Sequence, residues 1–232
     1  MTRSSPCKTA VITGASSGIG EVFARQLAQR GHPLILVARP SDRLEKVRGA
    51  LASQCGVDVT TRPTDLSQPT EIHGLAEELS AHRDLGVLVN NAGFGTMGDY
   101  ADVAATTHEE MIQVHVSATA LLSHAVLPAM IQQRSGAIIN VASMSAFLIG
   151  PGQVIYASTK TFVKVFSESL FEEVRDQGVY VQALCPGFTK TGFHSTDHFA
   201  SFDRSQISSQ LFMTAEQVVD ASLKALDQVM LQ

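Results

Sequence analysis

The run Thr9-Ala10-Val11-Ile12-Thr13-Gly14-Ala15-Ser16-Ser17-Gly18-Ile19-Gly20 decides the fold. A short apolar stretch, Thr9 to Thr13, ends in glycines spaced Gly-x-x-x-Gly-x-Gly, and helical spacing takes over from Ile19 to Arg30. A continuous apolar run of that length reads as a strand covered on both faces. Glycines at a strand-to-helix junction allow a tight turn and a close approach of backbone to a pyrophosphate. The helix N-terminus then stabilises that anion with free N–H groups and its dipole. Gly14, Ser16, Ser17, Gly18, Ile19 and Gly20 are therefore the candidate phosphate cradle. The same residues satisfy Gly-x-Ser-x-Gly, the nucleophile elbow of an α/β-hydrolase. That elbow follows several strands, whereas only about a dozen residues precede this one.

Outward from this unit the pattern repeats. Strand candidates lie at 34–37, 57–60, 87–89, 137–141 and Val179–Leu184, alternating with helix-period segments at 19–30, 42–53, 69–81, 106–133 and 157–177. Alternating strands and helices predict an α/β protein with a doubly wound parallel sheet and right-handed crossovers. Gly31 and Gly178 stand where a glycine ends a helix. Thr214 and Gln217 have the spacing of a capping box for a last helix. No linker, repeat or low-complexity tract divides residues 1–232, so one domain is expected.

Bulk properties narrow the partners. A chain of 232 residues, 44% hydrophobic and 17% charged, builds one packed core without staples. Its net charge of −5 gives no electrostatic reason for a nucleic acid or an anionic membrane as partner. Cys7, Cys55 and Cys185 are odd in number and lack metal-ligand spacing, which fits free thiols in a reducing compartment. The longest apolar passage, 114–131, is interrupted by His115, Ser117, Thr119, Ser123, His124 and Pro128 and reads as a mostly buried helix. Residues 1–8 carry no apolar signal core, so a cytoplasmic protein is expected.

The end of the second strand bears on cofactor choice. An acidic residue there hydrogen-bonds a ribose 2′-hydroxyl, whereas an arginine accommodates a 2′-phosphate. The chain has Val37-Ala38-Arg39 and no carboxylate before Asp42, which favours NADP(H) over NAD(H). The plain alternative for Arg39 is a solvated surface charge.

Chemistry beyond binding is signalled by Tyr156-Ala157-Ser158-Thr159-Lys160, with Ser143 thirteen positions upstream. On a helix, i and i+4 share a face. An ammonium beside a phenol favours phenolate and lowers its pKa from about 10. A tyrosine tuned in that way exchanges a proton with a carbonyl oxygen or an alcohol. Taken singly, Ser143 reads equally as a turn residue, Tyr156 as a half-buried phenol and Lys160 as a surface charge.

Together these residues resemble the short-chain dehydrogenase/reductase family in its single-domain form, over nearly the whole chain. Thr13–Gly20 resembles its cofactor turn, and Asn90-Asn91-Ala92-Gly93 its Asn-Asn-Ala-Gly signature. Ser143, Tyr156 and Lys160 fall on its catalytic serine, tyrosine and lysine. Asp65-Leu66 resembles its adenine-side contact. Cys185-Pro186-Gly187-Phe188-Thr189-Lys190-Thr191 resembles its Pro-Gly turn, where Phe188 backbone and the Thr191 hydroxyl hold the carboxamide. The resemblance implies a Rossmann-type fold. It also implies hydride transfer between nicotinamide and a small-molecule carbonyl or alcohol, with Asn91, Ala92, Gly93, Pro186 and Gly187 lining the cofactor site. In that scheme Ser143 orients the carbonyl oxygen, Tyr156 is the general acid or base, and Lys160 binds the nicotinamide ribose and lowers the tyrosine pKa.

Two departures stand out. His115 replaces the asparagine that, in the family, bends the long helix and holds a relay water. A histidine can accept and donate through its two nitrogens, so His115 is a candidate relay residue. Its other reading is a ring that fills the space, with activity lowered or lost. That reading supports a different class of function, an NADP(H)-binding regulatory protein on the same fold. The chain also reaches Gln232 soon after its last helix, so six strands are expected and a seventh is missing. Helices 106–133 and 157–177, which the family often uses for dimerisation, remain, so a homodimer is expected. Residues 192–213 read as a substrate lid with Phe193, Phe199, Phe202 and Phe212 available to cover an apolar ligand. His194-x-x-x-His198 with Asp197 has metal-ligand spacing but shows no third ligand, and no metal is expected.

Overall fold

The computed structural model describes residues 7–195 and 208–230. Six parallel strands form the sheet: β1 (Thr9–Thr13), β2 (Leu34–Ala38), β3 (Val59–Pro63), β4 (Leu85–Asn90), β5 (Gly136–Val141) and β6 (Val179–Leu184). Their order is β3-β2-β1-β4-β5-β6, so the winding reverses between β1 and β4. The crossovers run through α1 (Gly18–Gln29), α2 (Asp42–Cys55), α3 (Pro69–Ala81), α4 (Ala105–Ile112), α5 (Ala118–Gln132) and α6 (Val154–Val174), and α7 (Ala215–Met230) ends the described chain.

The strands are apolar on both sides because both faces are covered. Ile12, Leu36, Val89 and Ile139 pack with Phe23 and Leu27 of α1, Leu44 of α2 and Leu223 of α7. Val11, Ile35, Leu88 and Ile138 face the other way, onto Ile72 and Leu75 of α3 and Leu122, Val126 and Met130 of α5. Gly31 and Gly178 take the left-handed conformations expected at helix ends, with φ of 89° and 77°. The capping box is reciprocal: Gln217 N–H donates to Thr214 Oγ1 (3.2 Å) and Thr214 N–H to Gln217 Oε1 (2.8 Å). Salt bridges Arg25–Glu216 and Arg30–Asp227 also link α1 to α7. They are exposed and worth under about 1 kcal/mol each, so apolar burial holds α7 in place.

Three features differ from the sequence pattern. The segment 106–133 is not one regular helix. Between α4 and α5 the turn Gln113–Ser117 widens, and Ala118 N–H donates to the Gln113 carbonyl five residues back. A one-turn widening of this kind is a π-bulge, and the buried His115 ring occupies it. The continuous stretch Ala105–Gln132 is long enough to cross a membrane and contains an 18-residue window with a mean hydropathy of 1.5; Met111, Leu122, Val126 and Met130 are nonetheless buried within the fold. The third strand starts at Val59 rather than 57. Finally, two-residue strands β7 (Thr189–Lys190) and β8 (Met213–Thr214) pair in parallel and close the base of the 192–213 segment.

A polar ladder crosses the apolar core beneath the site. Asn90 Nδ2 donates to Asn140 Oδ1 (2.8 Å) and Ser123 Oγ (3.1 Å), and Asn140 Nδ2 donates to Ser167 Oγ (2.9 Å). All four residues are buried, so a missing partner leaves a desolvated polar group. Asn140→Ala is expected to lower stability by about 2 kcal/mol, read from the urea midpoint. A midpoint unchanged from wild type would show that the ladder contributes nothing.

Candidate active site

Where the winding reverses, the carboxyl ends of β1 and β4 part and leave a crevice. The cleft there has a volume of about 1760 Å³. Its floor is the glycine turn. Gly14 and Gly18 have φ of 66° and 58°, and a Cβ at Gly20 would collide with the Gly14 carbonyl and the Asn91 amide. Asn91 Nδ2 in turn donates to the Thr13 carbonyl (2.8 Å) and the Gly14 carbonyl (3.3 Å), while Thr13 Oγ1 accepts from Asn91 N–H and Ala92 N–H. The two motifs thus brace one another, and Ser17 caps α1 without a side-chain bond. A tight, glycine-built turn opening a helix fits a dinucleotide pyrophosphate.

Along the cleft, Ser16, Ser17, Ile19, Arg39, Asp65, Leu66, Ala92 and Gly93 lie on the same wall system as the turn. Asp65 Oδ1 accepts from Ser67 N–H (3.0 Å), which shapes the loop after β3. Arg43, which the sequence pattern did not single out, lines the cleft with Arg39, its guanidinium 3.5 Å from Glu21. Pro186, Gly187, Phe188 and Thr191 close the opposite side, with Thr191 in contact range of Gly18.

Ser143, Tyr156 and Lys160 converge at the centre. Ser143 caps the short turn Met144–Phe147, so Ser145 N–H donates to its Oγ (3.1 Å) and fixes the hydroxyl. Tyr156 and Lys160 project from the first two turns of α6, which starts three residues before the predicted segment. Lys160 Nζ donates to the Val141 carbonyl (2.8 Å) and lies 5.9 Å from the Tyr156 ring centroid. The expected lowering of the phenol is corrected here. Burial raises the Tyr156 pKa above its ordinary value, and the hydrogen bond with Ser143 is the opposing effect. Lys160 itself is buried, and burial pulls its ammonium down to about 8.

His115 lies behind the pair, its ring edge-on to Tyr156 at 5.8 Å between centroids. Phe94 N–H donates to its Nε2 (3.2 Å), and its Nδ1 is 2.9 Å from Thr159 Oγ1. Both ring nitrogens are engaged, so the ring offers no nitrogen for a relay water. Burial and the neighbouring Lys160 charge hold its pKa well below the usual value.

The short chain dehydrogenase family model matches residues 8–198. The chain belongs to that family.

As a short-chain dehydrogenase it is an oxidoreductase, and it is similar to several known proteins. The hydroxysteroid dehydrogenase-like protein 1 of Gallus gallus is 35% identical over 179 residues, covering 76% of this chain. This chain spans 54% of that relative's length. A short-chain dehydrogenase from Sphingobium yanoikuyae in complex with NADPH superposes with a TM-score of 0.88 at 35% identity, over 96% of this chain and 85% of that one. The bulky-bulky ketone specific alcohol dehydrogenase from Comamonas testosteroni gives 0.85 at 30% identity, over 97% and 85%.

Besides Arg43, two parts of the site escaped sequence reasoning. Thr159 was visible only as a spacer inside Tyr-x-x-x-Lys. The mouth of the cleft is built by Met144, Leu148, Ile149, Phe188 and Leu211, all exposed apolar side chains from three separate loops. Phe193 packs 5.9 Å from the Tyr156 ring and Phe212 lies 5.4 Å from Phe188. Phe199, Phe202, Asp197 and His198 lie outside the described residues.

Proposed function

We propose that this short-chain dehydrogenase reduces bulky apolar ketones with NADPH. The observation that carries the reading is the convergence of Ser143, Tyr156 and Lys160 at the base of an apolar mouth. When bound, the dinucleotide supplies the hydride. The proton and the positioning fall to this chain. Ser143, oriented by Ser145 N–H, donates to the carbonyl oxygen as negative charge develops there. Tyr156 then gives that oxygen its phenolic proton. Its raised pKa keeps it protonated through neutral pH, which favours the reductive direction. Lys160, anchored at Val141, offers its remaining N–H bonds to the nicotinamide ribose. Arg39, with Arg43 beside it in the cleft, carries the preference for a 2′-phosphate.

The apolar mouth supports a ketone with large substituents, in keeping with the ketone specificity named for the Comamonas relative. The regulatory alternative rested on His115, whose ring lies behind Tyr156 and displaces none of the three central side chains. A second copy of this chain packs against helices 106–133 and 157–177, where Ile112, Phe162 and Val165 are exposed.

The test is NADPH oxidation across aryl ketones, apolar 3-oxo esters, aldehydes and sugars, run beside NADH. The expected result is turnover of the bulky ketones, with kcat/KM at least about tenfold higher for NADPH, and loss of most of that margin in Arg39→Ala. A preference for NADH would overturn the cofactor assignment. Micromolar NADPH binding with no turnover of any substrate would return the regulatory reading.

A further inference from the structure

We propose that His115 is a positioning residue: a neutral ring protonated on Nδ1 that ties the first turn of α6 to the 91–94 loop through Thr159 and moves no proton. The hydrogen-bond directions follow from which partners can only donate. Phe94 N–H is a backbone amide and can only donate, so His115 Nε2 must be the unprotonated acceptor. Thr159 gives its hydroxyl proton to the Tyr156 carbonyl (2.9 Å), so its oxygen is left to accept from Nδ1–H. One tautomer satisfies every partner. The chain of bonds runs from Phe94 N–H through the ring and the Thr159 hydroxyl to the backbone of Tyr156.

Two neighbours show why the tie is needed and why the ring fits. Gln153 starts α6 without a side-chain cap bond, so the turn carrying Tyr156 lacks the usual N-terminal anchor. Gly93 lets the imidazole approach, since a Cβ there would lie 2.7 Å from His115 Nε2. Among the described residues the titratable groups facing the ring are Lys160 and Tyr156, both on α6, and the Lys160 charge opposes an imidazolium. A protonated ring would also turn a second N–H toward the Phe94 N–H. This role rests on the proposed use of Tyr156 as proton donor, because what His115 positions is that phenol.

Two measurements test it. In ¹⁵N NMR of the whole protein, the His115 ring should show the Nδ1–H tautomer from pH 6 to pH 9. In kinetics, His115→Ala and Thr159→Val should each lower kcat roughly 10- to 100-fold, with NADPH affinity and the pKa values of the pH–rate profile unmoved. The double variant should be no worse than the poorer single variant, and Thr159→Ser should restore the rate. An Nε2–H tautomer, a ring that protonates above pH 6, or an ionisation missing from the His115→Ala profile would overturn the proposal. So would a Thr159→Val variant with the wild-type rate. If the wild type reduces no ketone, the proposed function fails, and the NMR tautomer still decides whether His115 is held as described.

Discussion

Tyr156→Phe is expected to lose about 10²- to 10⁴-fold in kcat for ketone reduction while binding NADPH as tightly as wild type. The substitution removes one oxygen and keeps the ring, which packs between His115 at 5.8 Å and Phe193 at 5.9 Å. Ser143 keeps the hydrogen bond from Ser145 N–H and can still orient a carbonyl oxygen, so part of the electrostatic stabilisation survives. What disappears is the proton. Among the described residues no other buried acid stands at that point, since Lys160 is turned to the Val141 carbonyl and His115 has both nitrogens engaged. The check pairs steady-state rates with a fluorescence titration of NADPH. Retention of more than a tenth of the wild-type rate would move proton donation to another group.

Lys160→Met should abolish most turnover and yet stabilise the cofactor-free protein at neutral pH. The lysine is buried and its pKa drops from 10.5 to about 8. A depressed lysine binds its proton less tightly folded than unfolded. Below pH 8 both states hold the proton and the whole penalty is present. Between pH 8 and 10.5 the unfolded chain is protonated and the folded one is not, so wild-type stability rises with pH through that window. The penalty corresponds to roughly 3 kcal/mol, offset in the variant by the Val141 carbonyl that loses its donor. A gain of about 1–2 kcal/mol at pH 7 is expected, falling through zero and changing sign by about pH 10.5. Urea midpoints of both proteins across pH 6–10.5 decide it. A variant less stable than wild type at pH 7, by an amount that does not change with pH, would refute the account.

Much of the fold is legible in the sequence because its strands leave no choice. Val87–Val89 and Ile138–Ile139 are apolar on consecutive residues, and such runs are stable only when helices cover both faces. The edge strand β3 is half exposed and mixed in composition, which is why its start reads two residues early. The widened turn at Gln113–Ser117 leaves little trace in periodicity, since α4 and α5 run directly into it from either side without a break. The site's residues were legible from motif spacing, but their ionisation was not. Spacing on a helix puts Lys160 near Tyr156 and says nothing about burial or about the Val141 carbonyl that draws the ammonium away. Arg43 and Thr159 became visible only once separate elements met.

The short ladder between Thr189–Lys190 and Met213–Thr214 gives the region over the cleft the character of a socket. Its two ends are joined by backbone bonds, and Met213 N–H adds a bond to the Phe188 carbonyl. The two ends of the intervening segment are therefore held on a fixed base. Loop-closure entropy grows slowly, about 0.6 kcal/mol for each doubling of length. Insertions and exchanges within such a loop strain neither the glycine turn nor the tyrosine helix. The architecture separates two demands: Ser143, Tyr156 and Lys160 are held by the sheet and α6, while the segment between the anchored ends is free to change in length.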